Sequence, residues 1–441
     1  MYGLILTYVL SVVSGLASLR YPVIGVMAFI GLGVLRPRFI FGFAGEIVDV
    51  SFWVGVAVLT GWVFTGFGSW RAGRARPAVI ALAIYILCTI ISAVQALDTT
   101  VSARALLNEA KLFMPVIVGL TVVTQDWHRR WLFWTIVLAQ AYVGFEMNLE
   151  YLRGRNVANM GFGGMDNNFF GASLVATLGP AIALAVSSRW WPRRLLAYVA
   201  TALIFHTTLL TFSRGAMVGM LAVAATAFFL IPKSPRFLAA ALVLTLLAAR
   251  LTGPQLMARY STAFVGEENL DRSAESRVEL WRDCLTVVAD HPVFGVGPAN
   301  WRVIANSYGW PEGKSAHSVW MESAAEIGLP GVIALLCFFG LTALKLWPLA
   351  RAKLTDENQY DVAIATGVIL SIVGFSVAGQ FVSASNLEPP YYVALVGLSL
   401  LKNRPGKPAA ATAVKPHNPA LSPLVMPIRP AGAAGPIQNK V

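Results

Sequence analysis

The chain has 441 residues, 56% of them hydrophobic and only 13% charged, with a mean hydropathy of +0.64. Soluble domains carry about 25% charged residues, so this balance excludes one, and uninterrupted apolar segments of about 18 to 22 residues mark a polytopic membrane protein. The net charge of +12 is dispersed in short clusters between apolar runs, which argues against nucleic acid as a partner, and Cys88, Cys284 and Cys337 offer neither a disulfide framework nor a cysteine metal site.

In chain order, candidate spans fall at 1–19, 21–35, 51–66, 78–96, 109–124, 131–150, 169–187, 195–212, 215–232, 236–252, 330–347, 360–381 and 388–402. The first lacks a basic start and a small-residue cleavage site, so it reads as a retained span. The second and last are short, and the expected fold is an all-α polytopic membrane protein with about twelve transmembrane helices, twelve or thirteen. Basic clusters at Arg71, Arg74 and Arg76, at Arg129 and Arg130, at Arg189, Arg193 and Arg194, at Lys233 and Arg236, and at Lys345, Arg351 and Lys353 belong in the cytoplasm by the positive-inside rule. The connections near 36–50, 97–108, 151–168, 213–214, 253–316 and 382–387 then lie outside. The expected division is N-terminal transmembrane helices over 1–252, an extracytoplasmic loop with a short surface or re-entrant helix over 253–329, C-terminal transmembrane helices over 330–402, and a disordered cytoplasmic tail over 403–441.

The hydrophilic island at 253–316 is where water-phase chemistry meets the membrane. Within it, Val278, Trp281, Leu285 and Val288 recur at helical spacing after a cap at Ser273 or Ser276, and His291-Pro292 ends the helix. Arg277 and Trp281 are one turn apart, close enough for a guanidinium to stack on an indole. Gly295-Val296-Gly297-Pro298 then reverses the chain. Ser315 can cap a helix of about ten residues starting at His317, broken by Gly328-Leu329-Pro330-Gly331 before the next span. A broken helix at membrane depth needs protein or a watery cavity beside it, and its start presents free N–H groups to anions.

His317-Ser318, nine residues, then Gly328 and Gly331 resemble the His-[Asn/Ser/Gln]-x9-Gly-x-x-Gly signature of the O-antigen ligase family of bacterial membrane glycosyltransferases. Thr211-Phe212-Ser213-Arg214-Gly215 is similar to that family's Ser-Arg-Gly segment, and Arg277 to Trp281 to its Arg-x-x-x-Trp segment. Together these cover roughly 165–345. Gly163-Gly164-Met165-Asp166-Asn167-Asn168 and Arg36-Pro37 also resemble the exosortase-associated O-glycosylation ligase branch.

The resemblance implies a C-type glycosyltransferase-like fold in the bacterial inner membrane that serves lipopolysaccharide biosynthesis or O-glycosylation. A glycan would pass from undecaprenyl diphosphate to a hydroxyl of lipid A core or of a protein at the periplasmic face, with inversion and without metal or cofactor. The residues fit this chemistry. A departing diphosphate needs cations, and guanidinium donors match phosphate oxygens, so Arg214 and Arg277 are the expected diphosphate ligands. A metal-binding Asp-x-Asp is absent from the sequence. The catalytic candidate is His317, whose neutral imidazole can take the proton of an attacking hydroxyl.

Further candidates for substrate contact are Lys111, Arg153, Asp166, Asn168, Arg302 and Glu322. Arg153 follows Glu146 and Glu150 at helical spacing, which an internal ion pair explains equally well, and Asp166 to Asn168 also suit a helix cap. His128, His206 and His291 read as structural. Two other functions stay open: a glycan polymerase of the same superfamily, and a transporter or flippase of lipid-linked glycan, which would need a basic cavity but not His317.

Overall fold

The computed structural model describes residues 2–41, 50–233, 268–383 and 386–402, with scattered positions between 235 and 250. Its helices are α1 (Tyr2–Ser18), α2 (Pro22–Leu35), α3 (Pro37–Ile40), α4 (Val50–Phe64), α5 (Arg76–Val94), α6 (Thr99–Val122), α7 (Asp126–Leu152), α8 (Asn167–Ser187), α9 (Trp191–Leu210), α10 (Arg214–Leu230), α11 (Glu268–Asp290), α12 (Trp301–Ile304), α13 (Val319–Ala350), α14 (Gln359–Ala378) and α15 (Glu388–Lys402). Among the described residues the only β pairing is a single Phe162–Met165 bridge. Among the described residues seven helices are long and apolar enough to cross a membrane, and the shorter apolar Gly3–Ser18, Val50–Phe64 and Arg214–Leu230 accompany them. The chain is thus an all-helical polytopic membrane protein. The larger count of twelve or thirteen spans also drew on α9, α15 and 236–252; most of the last, the start of the island at 253–267 and the expected tail at 403–441 lie outside the described residues.

The core centres on α8 and α14, where Phe170, Leu174, Leu370 and Phe375 are fully buried. The two helices approach closely because position 179 has no side chain: a Cβ there would stand 2.5 Å from that of Leu370.

Two elements differ from the sequence reading. Residues 97–108 are not a connection, because Asp98 caps α6 by accepting from the N–H groups of Thr100 and Val101. The helix therefore starts ten residues before the expected span, at Thr99 rather than 109. Helix α11 begins at Glu268, so Ser273 and Ser276 lie inside it and cannot cap it. Its buried stripe is Leu280, Cys284, Val287 and Val288, while Val278 (44% exposed) and Leu285 (51%) face out. The stripe is rotated because α11 packs on Trp301, Ala305, Ala324 and Ala325 in a second core beside the membrane bundle.

The expected break in the helix after His317 is present, and the two carbonyls it frees find new donors. Gly328 has φ 82 and ψ 175 inside α13. Leu329 N–H turns away to the Pro292 carbonyl at 2.8 Å, and Pro330 has no N–H, which frees the carbonyls of Ala325 and Glu326. The reversing turn supplies their donors: Val296 N–H reaches Ala325 at 3.0 Å and Gly297 N–H reaches Glu326 at 2.9 Å, with Ser92 Oγ donating to Glu326 at 2.6 Å. Asn300 ties the same turn to the start of α6 through Asp98 N–H (2.7 Å) and Ser102 Oγ (2.8 Å).

The bundle has two chemically distinct ends. At the C-terminal end of α13, Arg189 pairs with Asp356 at 2.7 Å, and Arg193 bonds the Tyr360 hydroxyl at 3.0 Å. The Arg130 guanidinium lies 4.6 Å from the Tyr360 ring centre. His317 lies at the other end, just before α13.

Gly328→Ala should lower the melting temperature in detergent by several degrees, because a left-handed non-glycine residue costs about 1–3 kcal/mol and the new Cβ would stand 2.3 Å from the Val293 carbonyl oxygen. Gly340→Ala, in the same helix with open space around its Cβ, should leave it unchanged or raise it. Equal melting of the two variants would refute this account of the break.

Candidate active site

Histidine 317 is not on a helix. Ser318, rather than Ser315, caps α13 by accepting from Met321 N–H at 3.3 Å, and His317 precedes it with φ 51. A non-glycine residue holds such a backbone only where its surroundings fix it. Here Glu322 does much of the fixing: one carboxylate oxygen accepts Ala316 N–H at 3.0 Å and also the Ser383 hydroxyl, while Ser383 Oγ accepts His317 N–H at 2.9 Å. The other oxygen lies 3.8 Å from the Arg302 guanidinium. From α11, Trp281 Nε1 donates to the Ala316 carbonyl at 3.1 Å, so the indole anchors the loop.

The imidazole borders a polar chamber of about 350 Å³ whose wall includes Arg36, Asp166, Arg302, Ser315, Ser383 and Glu388. Burial lowers the basicity of His317, and the nearby charges of Lys314, Arg277 and Arg302 lower it further, with Asp166 opposing them. The ring is therefore neutral at neutral pH, on account of burial and cations more than of a helix start.

Of the two expected phosphate ligands, Arg277 acts electrostatically on this ring, and Arg214 acts on Arg277. Ser213 caps α10 through Ala216 N–H at 3.2 Å and leaves Arg214 as the first, exposed helical residue. The turn before it, with Phe212 at φ 53, is held by Asn167 Nδ2 on the Thr211 carbonyl (3.1 Å) and by Ser213 Oγ donating to Asn168 Oδ1 (2.9 Å). Gly215 allows close packing on Phe381, whose Cβ would stand 2.7 Å from an added one. Arg277, half-buried on α11, has its basicity lowered by burial and then by the charge of Arg214. Arg277 thus couples to Arg214 on one side and to His317 on the other. Neither arginine belongs to the described wall of the chamber.

Other candidates divide. Asp166 caps α8 through Asn168 and Phe169 N–H, both at 2.8 Å, and also lines the chamber. Arg302 and Glu322 line a cavity beside it. Asn168 is engaged in holding the Ser213 turn. Arg153 is not brought to the chamber: it pairs with Glu150 at 2.8 Å, which Arg155 also contacts. Lys111 lines a separate cavity of about 550 Å³. Among the other histidines, His206 Nδ1 lies 2.5 Å from Asn148 Oδ1, and His128 Nδ1 accepts from the backbone of Thr124 and Gln125.

Sequence reasoning missed Glu388, Ser383, Asn386, Arg104 and Glu326. Arg36 was noticed only within a motif, yet its guanidinium bonds both oxygens of Glu388 (3.1 and 3.0 Å) and the Gly163 carbonyl, between the two cavities it lines. One signal was available: Glu388 heads an apolar run, where a carboxylate is costly unless matched.

Residues 199–336 match the family model described as O-antigen ligase. No curated protein sequence matches the chain. The matched segment holds Arg214, Arg277, His317 and the Gly328 break, so this part of the chain is similar to the O-antigen ligase family.

Proposed function

We propose that this protein is a glycosyltransferase that moves a glycan from undecaprenyl diphosphate to an acceptor hydroxyl at the periplasmic face of the bacterial inner membrane. The observation that carries the reading is a histidine of lowered basicity that borders a polar chamber and feels the charge of Arg277, on which Arg214 acts in turn. In the reaction, the acceptor hydroxyl approaches through the chamber and gives its proton to His317 as its oxygen attacks the anomeric carbon. The bond from that carbon to the diphosphate oxygen breaks with inversion, and the electron pair leaves on the diphosphate. Arg214 and Arg277 stabilise that growing charge, and two adjacent guanidiniums that repel one another gain most when a dianion arrives between them. The periplasmic assignment is supported by the end-to-end asymmetry, since Arg130, Arg189 and Arg193 gather at the end away from His317.

His317→Ala should lower transfer by at least about a hundredfold while the protein still inserts and binds donor; Arg214→Ala and Arg277→Ala should chiefly raise the KM for donor. Near-normal turnover in the histidine variant would remove His317 from the base role.

The pH profile offers a separate check. A base acts in its neutral form, so activity is lost as pH falls through its pKa, and a lowered pKa places the acid limb of kcat/KM below the ordinary imidazole value of about 6.5. Lys314 is the largest charge acting on His317 after burial, so Lys314→Gln should move that limb upward. A limb that stays in place, or one that moves down, would contradict the assignment.

Deleting the gene and blotting for glycan should show one acceptor losing its sugar, lipopolysaccharide or a protein, together with accumulation of lipid-linked donor. An unchanged glycan profile with no accumulated donor would count against transfer.

A further inference from the structure

A second chamber, of about 340 Å³, shares Arg302, Ser383 and Asn386 with the wall of the first. One side is a face of α6, where Arg104, Asn108 and Glu109 follow Val101 at helical spacing; another is Glu322 and Glu326, before the break in α13. Both helices are candidate membrane spans. Ionisable side chains in such helices are rare and mark functional sites. The transfer proposed above uses none of Arg104, Asn108, Glu109 or Glu326.

The chemistry of the wall selects a ligand class. Three carboxyl groups, of Glu109, Glu322 and Glu326, share the wall with the two guanidiniums of Arg104 and Arg302, a mixed set of acceptors and donors unlike the purely cationic Arg214–Arg277 pair. Among the described residues no group of three or more His, Cys, Asp or Glu could hold a metal ion. What remains is a partly open chamber whose wall mixes acceptors (carboxyl groups) with donors (guanidiniums, amides). That mixture suits a polyhydroxylated ring, because each sugar hydroxyl both donates and accepts. The volume lies near the lower end of the roughly 300–1,000 Å³ of small-molecule pockets, room for about one or two such rings.

We propose that this second chamber is a saccharide subsite. Glu109 and Glu326 accept from ring hydroxyls, Arg104 and Asn108 donate to them, and the ring held there adjoins the one that reacts at His317. The ring belongs either to the acceptor or to the donor glycan beyond its reacting sugar. This assignment rests on the transfer reaction proposed above.

The test uses the full-length protein in liposomes, with donor and acceptor both isolated from the deletion strain. Arg104→Gln and Glu326→Gln should each raise KM for one of the two substrates about tenfold, as expected for one lost charge-assisted hydrogen bond. Neither should move the acid limb set by His317, which does not border this chamber. A rise confined to acceptor KM makes the ring the acceptor's; a rise confined to donor KM makes it the donor's. Arg104 is exposed within its helix, so its variant should fold even if Glu326→Gln does not. Unchanged KM for both substrates in Arg104→Gln, with wild-type transfer intact, overturns the subsite alone. An acid limb displaced with both KM values unchanged also overturns it, and makes these residues positioning groups for His317. A wild-type protein that transfers nothing overturns the reaction and the subsite together.

Discussion

The break at Gly328 is the constraint on which the rest of this architecture depends. A helix interrupted at membrane depth strands carbonyl groups that water would otherwise satisfy, each costing several kcal/mol in hydrocarbon. Here they are met by the N–H groups of Val296 and Gly297 and by Ser92. The reversing turn is thereby fixed against the bundle, and with it α11 and the loop that ends in His317. Without the break, the turn at 295–298 would lose the two carbonyls that hold it to α13. Without the docked turn, the break would be too costly to keep.

The same rule governs the charges. Glu322 is buried at 6% exposure, yet its oxygens meet a backbone N–H, a hydroxyl and a guanidinium. Arg36 shares Glu388 and a carbonyl. A buried ion pair is weak evidence of stability, since desolvation consumes much of the attraction. These contacts earn a different description: they join residues 36, 163 and 388, or 302, 316, 322 and 383, at one end of the bundle. In the proposed reaction their worth is placement, because a base misplaced by about 1 Å can lose two orders of magnitude in rate.

Much of this was legible in the chain. Apolar runs located most of the bundle, and the Gly-Leu-Pro-Gly break was readable because glycine and proline are the residues that an interrupted helix needs. Arg214, Arg277 and His317 stand out through motif spacing; in the structure Arg277 acts electrostatically on His317, and Arg214 on Arg277. Other features were not. Residues 97–108 look polar enough for a loop, but Asp98 caps a helix there whose polar face turns to cavities instead of lipid. The stripe of α11 was misjudged by one register because periodicity cannot say which partner an amphipathic helix will meet. Arg36 and Glu388 are 352 residues apart, and no local pattern predicts that pairing.

A left-handed histidine outside any helix raises a last point of mechanism. A base on a helix would be placed by that helix, and would share its fixed direction. His317 is placed instead by its two backbone neighbours: Ala316 is held by Glu322 and Trp281, and Ser318 caps α13. The ring can therefore turn toward the chamber while Arg277 acts on it from beyond the chamber wall. An inverting displacement has this demand built in, since the attacking oxygen and the departing diphosphate must lie on opposite faces of one carbon. In the proposed transfer His317 meets the demand from the attacking side, since it borders the chamber through which the acceptor approaches. The left-handed backbone at φ 51 is held there by the hydrogen bonds of Glu322 and Ser383.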